Sequence, residues 1–332
     1  MTVCPATDRN PRNSEGDIVE LKDGNLLLGY TDFYHGAGHD MSPARISGKI
    51  SRDSGKKWCA PFTLQENIGR ENVMETDLLR LRSGAILLFF CAKNSEADCK
   101  PYVKKSLDEG QSWKEPVAVD RFFGGYVTLN NDRAIQLSTG RIILPCGWTP
   151  NIYAYPRVES FCFFSDDDGR TWSRSRNLIG LTQSSQGADE PGAVELKNGA
   201  IMMWFRTTLG YVYKSYSEDR GETWKRPESM KVVSPDAPQN IKRIPDSTDL
   251  LMVWNSGKCP KRNVLTTAIS KDDGKTWKYK RNIETEEKFG YSYASITFIK
   301  DMVMLTYLVY SADNSRTSLK LKTVPVEWLY NG

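Results

Sequence analysis

One eight-residue phrase, Ser-x-Asp-x-Gly-x-x-Trp, occurs five times in this chain, and its spacing constrains the fold more than any other feature. The copies open at Ser51, Ser106, Ser165, Ser217 and Ser270 and close at Trp58, Trp113, Trp172, Trp224 and Trp277. Successive serines lie 55, 59, 52 and 53 residues apart. A regular period of this length means one supersecondary unit repeated around or along an axis.

Every fixed position of the phrase has a turn-forming reason. Ser and Asp side chains bond nearby backbone N–H groups and hold a tight loop. Gly adopts a positive φ without steric cost. The closing Trp supplies a large apolar face to bury against a neighbouring unit. The phrase therefore reads as structural rather than reactive.

A second repeat lies between the phrases. Apolar runs flank a short turn at Ile18–Tyr30, Leu78–Phe90, Ala134–Pro145 and Ala193–Phe205, with turn glycines at Gly24, Gly84, Gly140 and Gly199. Two degenerate copies follow at Ile241–Trp254 and Ile296–Tyr307. Such runs around Asp-Gly or Asn-Gly predict β-hairpins. Their near-continuous apolar character predicts strands buried on both faces. Six hairpins predict six units, five of them carrying the phrase in their outer half. The alternating tail Ser318–Val324 is expected to supply an outer strand that closes the array and covers an edge.

Composition narrows the class. The chain has 332 residues, which a repeat architecture uses as one domain over residues 1–332. Its net charge of +4 is spread among interspersed acids and bases, so no nucleic-acid partner is expected. No apolar run reaches membrane length, and the N-terminus lacks a signal h-region. A soluble protein is expected, cytoplasmic or exported after loss of a leader, and a monomer or weak oligomer. The seven cysteines, Cys4, Cys59, Cys91, Cys99, Cys146, Cys162 and Cys259, are odd in number and show no CxxC spacing. Buried free thiols are expected, with no metal and no cofactor.

The five phrases resemble the Asp boxes of the sialidase (neuraminidase) superfamily, and the resemblance spans residues 51–277. It implies an all-β fold, a six-bladed β-propeller. In that fold the starts of the innermost strands meet around one axis. Nine or ten residues before each hairpin turn stand Glu15, Glu75, Asn131 and Glu190, with Gln239 and Tyr291–Tyr293 as the counterparts in the degenerate copies. Three glutamates converging on one opening form a candidate site.

The family pattern can be carried onto this sequence. Glu190 and Arg206, at the two ends of the fourth hairpin, match a family Glu and Arg. Arg262 resembles a second family Arg, which follows the fifth hairpin. The family's nucleophilic Tyr opens the last inner strand, where Tyr291 and Tyr293 both stand and Tyr293 has the better offset. Asp40, in Gly38-His39-Asp40, fits the family's acid/base Asp, and His39 is placed to share that role. The resemblance thus implies catalysis by Asp40, Glu190 and Tyr293, with Arg12, Glu15, Arg206, Arg262 and Tyr291 binding substrate.

Each role has a chemical reason. A phenol is a weak nucleophile until a base takes its proton. A carboxylate nucleophile would be repelled by a sialic acid's own carboxylate, and sialidases use Tyr instead. Arginines grip a carboxylate through charge-assisted hydrogen bonds. The expected activity is exo-hydrolysis of a terminal sialic acid or related acidic sugar from a glycan. Two departures point to another ulosonic or uronic sugar. The place of the family's first Arg falls at Ser14 or Glu15, with Arg12 two residues early, and its late Glu is replaced by Tyr307 or a neighbour. A carbohydrate-binding propeller without catalysis, or a protein-interaction scaffold, are the readings from other classes.

Overall fold

The computed structural model describes residues 1–120, 124–257, 261–311 and 316–331, and Cys259 lies outside them. The chain is all-β, with one short 3₁₀ turn at Val326–Tyr330. Among the described residues no helix is long and apolar enough to cross a membrane.

The strands follow the hairpin repeat. Each hairpin continues into a third strand, and the first five into a fourth, giving antiparallel meanders. The first runs Arg12–Glu20, Leu26–Phe33, Arg45–Ser51, Phe62–Gln65. The fourth runs Asp189–Glu195, Ile201–Arg206, Tyr211–Ser217, Glu228–Val233. Four sheets result, because two pairs of meanders are stitched together by short parallel contacts. One stitch is Arg12 beside Thr317, and the other sets Gly125 and Tyr126 beside Asp98 and Cys99.

The tail differs from its expected place. Thr317–Pro325 is the third strand of the last meander, paired with Met302–Ser311. Its outer edge is covered by Thr2–Cys4 from the N-terminus. A three-residue strand carries too little periodicity to be read from sequence.

Burial explains the apolar runs. Leu26, Leu28 and Tyr30 pack with Met304, Leu308 and Leu319 of the last meander. The intervening Leu27 faces the other way, onto Leu78, Leu88 and Phe90 of the second. The next central strand repeats this, with Phe89 and Cys91 turned toward Leu144 and Phe161. Alternate side chains of one strand thus serve two cores. Each such Leu or Phe gives roughly 1.5–3 kcal/mol of burial.

The boxes sit on the turns between third and fourth strands. In the third copy Ser165 Oγ accepts from Gly169 N–H at 3.0 Å, and Asp167 Oδ1 accepts from Thr171 N–H at 2.9 Å. The Thr171 hydroxyl donates to Asp167 Oδ2 at 2.6 Å. Each box glycine lies against the central strand of the preceding meander: Gly110 on Leu27, Gly169 on Leu87, Gly221 on Ile143, Gly274 on Met202. The first box closes the sequence, with Gly55 on Met304 of the last meander.

Buried aspartates pin the meanders to one another. Asp17 Oδ2 accepts from Leu78 N–H at 2.8 Å. Asp77 Oδ2 accepts from Arg133 and Ala134 N–H at 2.8 and 2.7 Å. Asp132 accepts from Ile296 N–H and the Asn240 amide, each at 2.6 Å, and pairs with Lys242. Burial and the neighbouring Asp132 push Asp77 up to about 7. Cysteines Cys4, Cys91, Cys99, Cys146 and Cys162 are buried free thiols as expected, whereas Cys59 is exposed beside its box.

Candidate active site

The first strands of four meanders share one local device. Their pairing slips between Ser14 and Asp17, Met74 and Asp77, Asp189 and Gly192, and Ser292 and Ser295. Inside each slip one residue is left-handed: Glu15 (φ 44°), Glu75 (66°), Glu190 (49°) and Tyr293 (55°). A β-bulge of this kind re-aims a side chain. Left-handed backbone at a residue with a Cβ costs roughly 1–2 kcal/mol. Four such residues at equivalent places mark strain concentrated at one site.

Tyr293 Oη donates to Glu190 Oε1 at 2.7 Å. The other Glu190 oxygen forms an ion pair with Arg206 Nη1 at 2.8 Å. Arg206 also pairs with Asp189 at 3.0 Å and Asp236 at 3.2 Å. Burial raises the Glu190 carboxyl above its usual range although Arg206 opposes the shift. The Tyr293 phenol is pushed well up by burial and by Glu190, with Arg206 and Arg262 opposing. The arrangement is a neutral phenol held by a carboxylate able to receive its proton.

A second cluster faces this pair. Arg12 donates from Nη2 to Glu15 at 2.7 Å, from Nη1 to Asp40 at 2.6 Å and from Nε to Ser14 Oγ at 3.0 Å. Its guanidinium also lies over the Phe33 ring, 4.6 Å from the centroid. Although the cavity partly desolvates it, the Arg12 guanidinium holds the Asp40 carboxyl below the ordinary range, with Lys93 helping. At rest Asp40 is therefore an ionised ion-pair partner of Arg12.

A cavity of about 1050 Å³ joins the clusters, with Arg12, His39, Asp40, Arg262 and Tyr293 on its wall. Glu15 bonds Arg12, Glu190 bonds Tyr293 and Arg206 bonds Glu190, but these three are not on that wall. Arg262 donates from Nε to the Asp236 carbonyl at 2.8 Å. Tyr291 is placed elsewhere: it is 1% exposed and packs edge-on to Tyr307 at 6.3 Å, off the cavity wall. Tyr307 donates to Glu284 at 2.5 Å, and Glu15 rather than Tyr307 steadies Arg12.

Several residues of the site were not foreseen from sequence. Asp189 and Asp236 both hold Arg206, and Asp236 also holds Arg262. Arg133 is fully buried, and its guanidinium makes no hydrogen bond among the described residues. Glu75, which was foreseen, has one buried oxygen with no partner among the described residues and is raised well above the usual range by burial, Glu15 and Glu190. A signal existed for the aspartates: Glu15-Gly-Asp17 and Glu75-Thr-Asp77 repeat a Glu-x-Asp phrase.

The chain was compared with known proteins. The BNR repeat-like domain family matches residues 32–305. The sialidase of Paraclostridium sordellii is 28% identical over 232 residues, which are 60% of this chain and 55% of that protein. The chain thus spans about half the length of that relative. A leech intramolecular trans-sialidase superposes with a TM-score of 0.81 at 15% identity, covering 99% of this chain and 70% of that one. A Dyadobacter fermentans protein of unknown function gives 0.79 at 19% identity, covering 97% of each chain. At these identities the superpositions bear on fold alone. By the match over most of its length, this chain belongs to the BNR repeat-like domain family of the sialidase superfamily.

Proposed function

We propose that this chain is a sialidase-like exo-glycoside hydrolase that releases a terminal sialic acid or related acidic sugar from a glycan, built as a single six-bladed β-propeller. Six meanders, and a first box packed on the last meander, support the closed ring. The observation that carries the activity is the Tyr293–Glu190 hydrogen bond, backed by Arg206.

In this reading Tyr293 Oη attacks the anomeric carbon while Glu190 takes the phenolic proton. The glycosidic C–O bond breaks, and Asp40 gives the leaving oxygen its proton. Water then attacks the glycosyl–tyrosine bond and yields a proton to Asp40. The departing Tyr293 oxygen recovers its proton from Glu190. Arg262 and Arg12, on the cavity wall, grip the sugar's carboxylate, and Arg206 fixes Glu190. The Glu15–Arg12 pair, where the family has an Arg, favours a second reading of the same class: a ulosonic or uronic sugar other than sialic acid.

The test is release of free sugar from sialyllactose and from a panel of acidic glycosides. Release by the native protein and its loss in Tyr293→Phe support the reading. Binding of the panel without release would make the chain a carbohydrate-binding propeller.

A further inference from the structure

We infer that Arg12 is the specificity-determining residue of this site: a substrate carboxylate takes the place of Asp40 on Arg12, and Asp40 is thereby freed to carry the proton that the leaving group needs. The inference rests on the acidic-sugar reading and says how the site tells such a sugar from a neutral one.

The geometry around Arg12 leaves little choice. Its three guanidinium nitrogens are all engaged, by Ser14, Glu15 and Asp40, with the Gly38 carbonyl also on Nη1. A carboxylate binds an Arg best as a fork, through two parallel N–H groups. It can do so here only by displacing a present partner. Glu15 is poorly placed to leave, because its side chain is 1% exposed and Ser14 also bonds it. The Asp40 side chain is 56% exposed and lines the cavity.

Asp40 can move without its backbone. Its carbonyl is held by Lys93 Nζ at 2.9 Å and by the Asn72 amide at 2.8 Å. A rotation about the side-chain bonds is enough to part it from Arg12. The charged and titratable groups that face Asp40 are Arg12, Lys93, His39, Tyr126 and Tyr153. Of these, Arg12 alone makes an ion pair with it.

Exchange changes the chemistry of Asp40 in one direction. Paired with Arg12 it is ionised and has no proton to give. After exchange it loses a cation and gains the substrate's anion nearby. Both changes favour its neutral form, and a proton enters from solvent. A neutral glycoside leaves Asp40 paired and meets a site with no acid. Selectivity then appears in turnover as well as in binding, because the correct substrate assembles the catalytic group.

Calorimetry in two buffers of different ionisation enthalpy tests this, with the unsaturated glycal analogue of N-acetylneuraminic acid as probe. Near neutral pH the native protein should take up close to one proton per probe bound. Asp40→Asn should bind the probe several-fold more tightly, since Arg12 is then held by a neutral amide, and should lack that uptake. Proton exchange at Glu190 or Glu75 persists in the variant and is subtracted by the comparison. Equal affinity and equal proton uptake in both proteins would overturn the exchange while leaving the acidic-sugar reading intact. Failure of the native protein to bind the probe would overturn both.

Discussion

Tyr293 and Glu190 share a 2.7 Å hydrogen bond across 103 residues of chain. The two side chains come from distant parts of the sequence. Each is the left-handed residue of a bulge on its own inner strand, and the two bulges point the phenol and the carboxylate at each other.

The first prediction follows from that bond. Tyr293→Phe keeps the ring and its packing but removes the oxygen. Melting temperature should change little, while turnover of the acidic glycoside falls by ~10²–10⁴. Turnover within a few-fold of native in a folded Phe variant would remove Tyr293 from the chemistry.

Arg206 and Arg262 should behave differently. Arg206→Ala leaves Glu190, Asp189 and Asp236 without their shared cation. A loss of roughly 3–5 kcal/mol of stability is expected for breaking a buried pair by removing one partner. Glu190 should also rise, shifting the acid limb of the pH–rate profile to higher pH. Arg262→Ala should mainly weaken binding of the acidic substrate. Urea unfolding and a pH profile of both variants separate the two roles.

The boxes should be separable from the site altogether. Asp219 accepts from the Thr223 N–H at 2.8 Å and the Thr223 hydroxyl at 2.5 Å, and from Ser217 at 2.8 Å. Asp219→Ala should cost about 1–3 kcal/mol and leave kcat and KM unchanged. A kinetic defect in a protein that remains folded would contradict a purely structural box.

Stability should depend on pH through the buried aspartates. Asp77 titrates at about 7 in the fold but near 3.9 in the unfolded chain. Between those values the folded state binds the extra proton, so stability falls as pH rises from about 4 to about 7. Asp17, also raised by burial and by Asp132, adds in the same direction. Asp77→Asn keeps an acceptor for Arg133 and Ala134 N–H and should flatten the slope. Denaturant midpoints across that range are the measurement.

What could be read from sequence was what is fixed locally. A box closes on its own Ser, Asp and Gly, so five copies are visible without tertiary information. Counting back nine residues from the turn glycine also reached Glu15, Glu75 and Glu190, the left-handed residues of three bulges, and the family offset reached Tyr293, that of the fourth. The bulge itself was not visible, and it decided Tyr291. Residues two apart share a face in a regular strand, so Tyr291 stayed a candidate beside the preferred Tyr293. The slip between Ser292 and Ser295 breaks that rule and sends Tyr291 into the core. The partners of Arg206 and Arg262 lie up to 30 residues away on other loops, beyond any local pattern. The Arg12–Asp40 pair was missed for the same reason, and with it the resting charge of Asp40.

The left-handed glutamates imply that this site could be mapped with no substrate at all. Glycine carries no penalty at a positive φ, and at Glu75 the lost side chain has one oxygen without a partner to give up. Glu75→Gly should therefore raise thermal stability. A library selected only for heat resistance would enrich small residues there, at a position the fold has no reason to spend on a carboxyl group. Glu190 and Glu15 are anchored by arginines and should resist the same drift. The strain would then sort the inner strands into residues kept by packing and residues kept only by what they do.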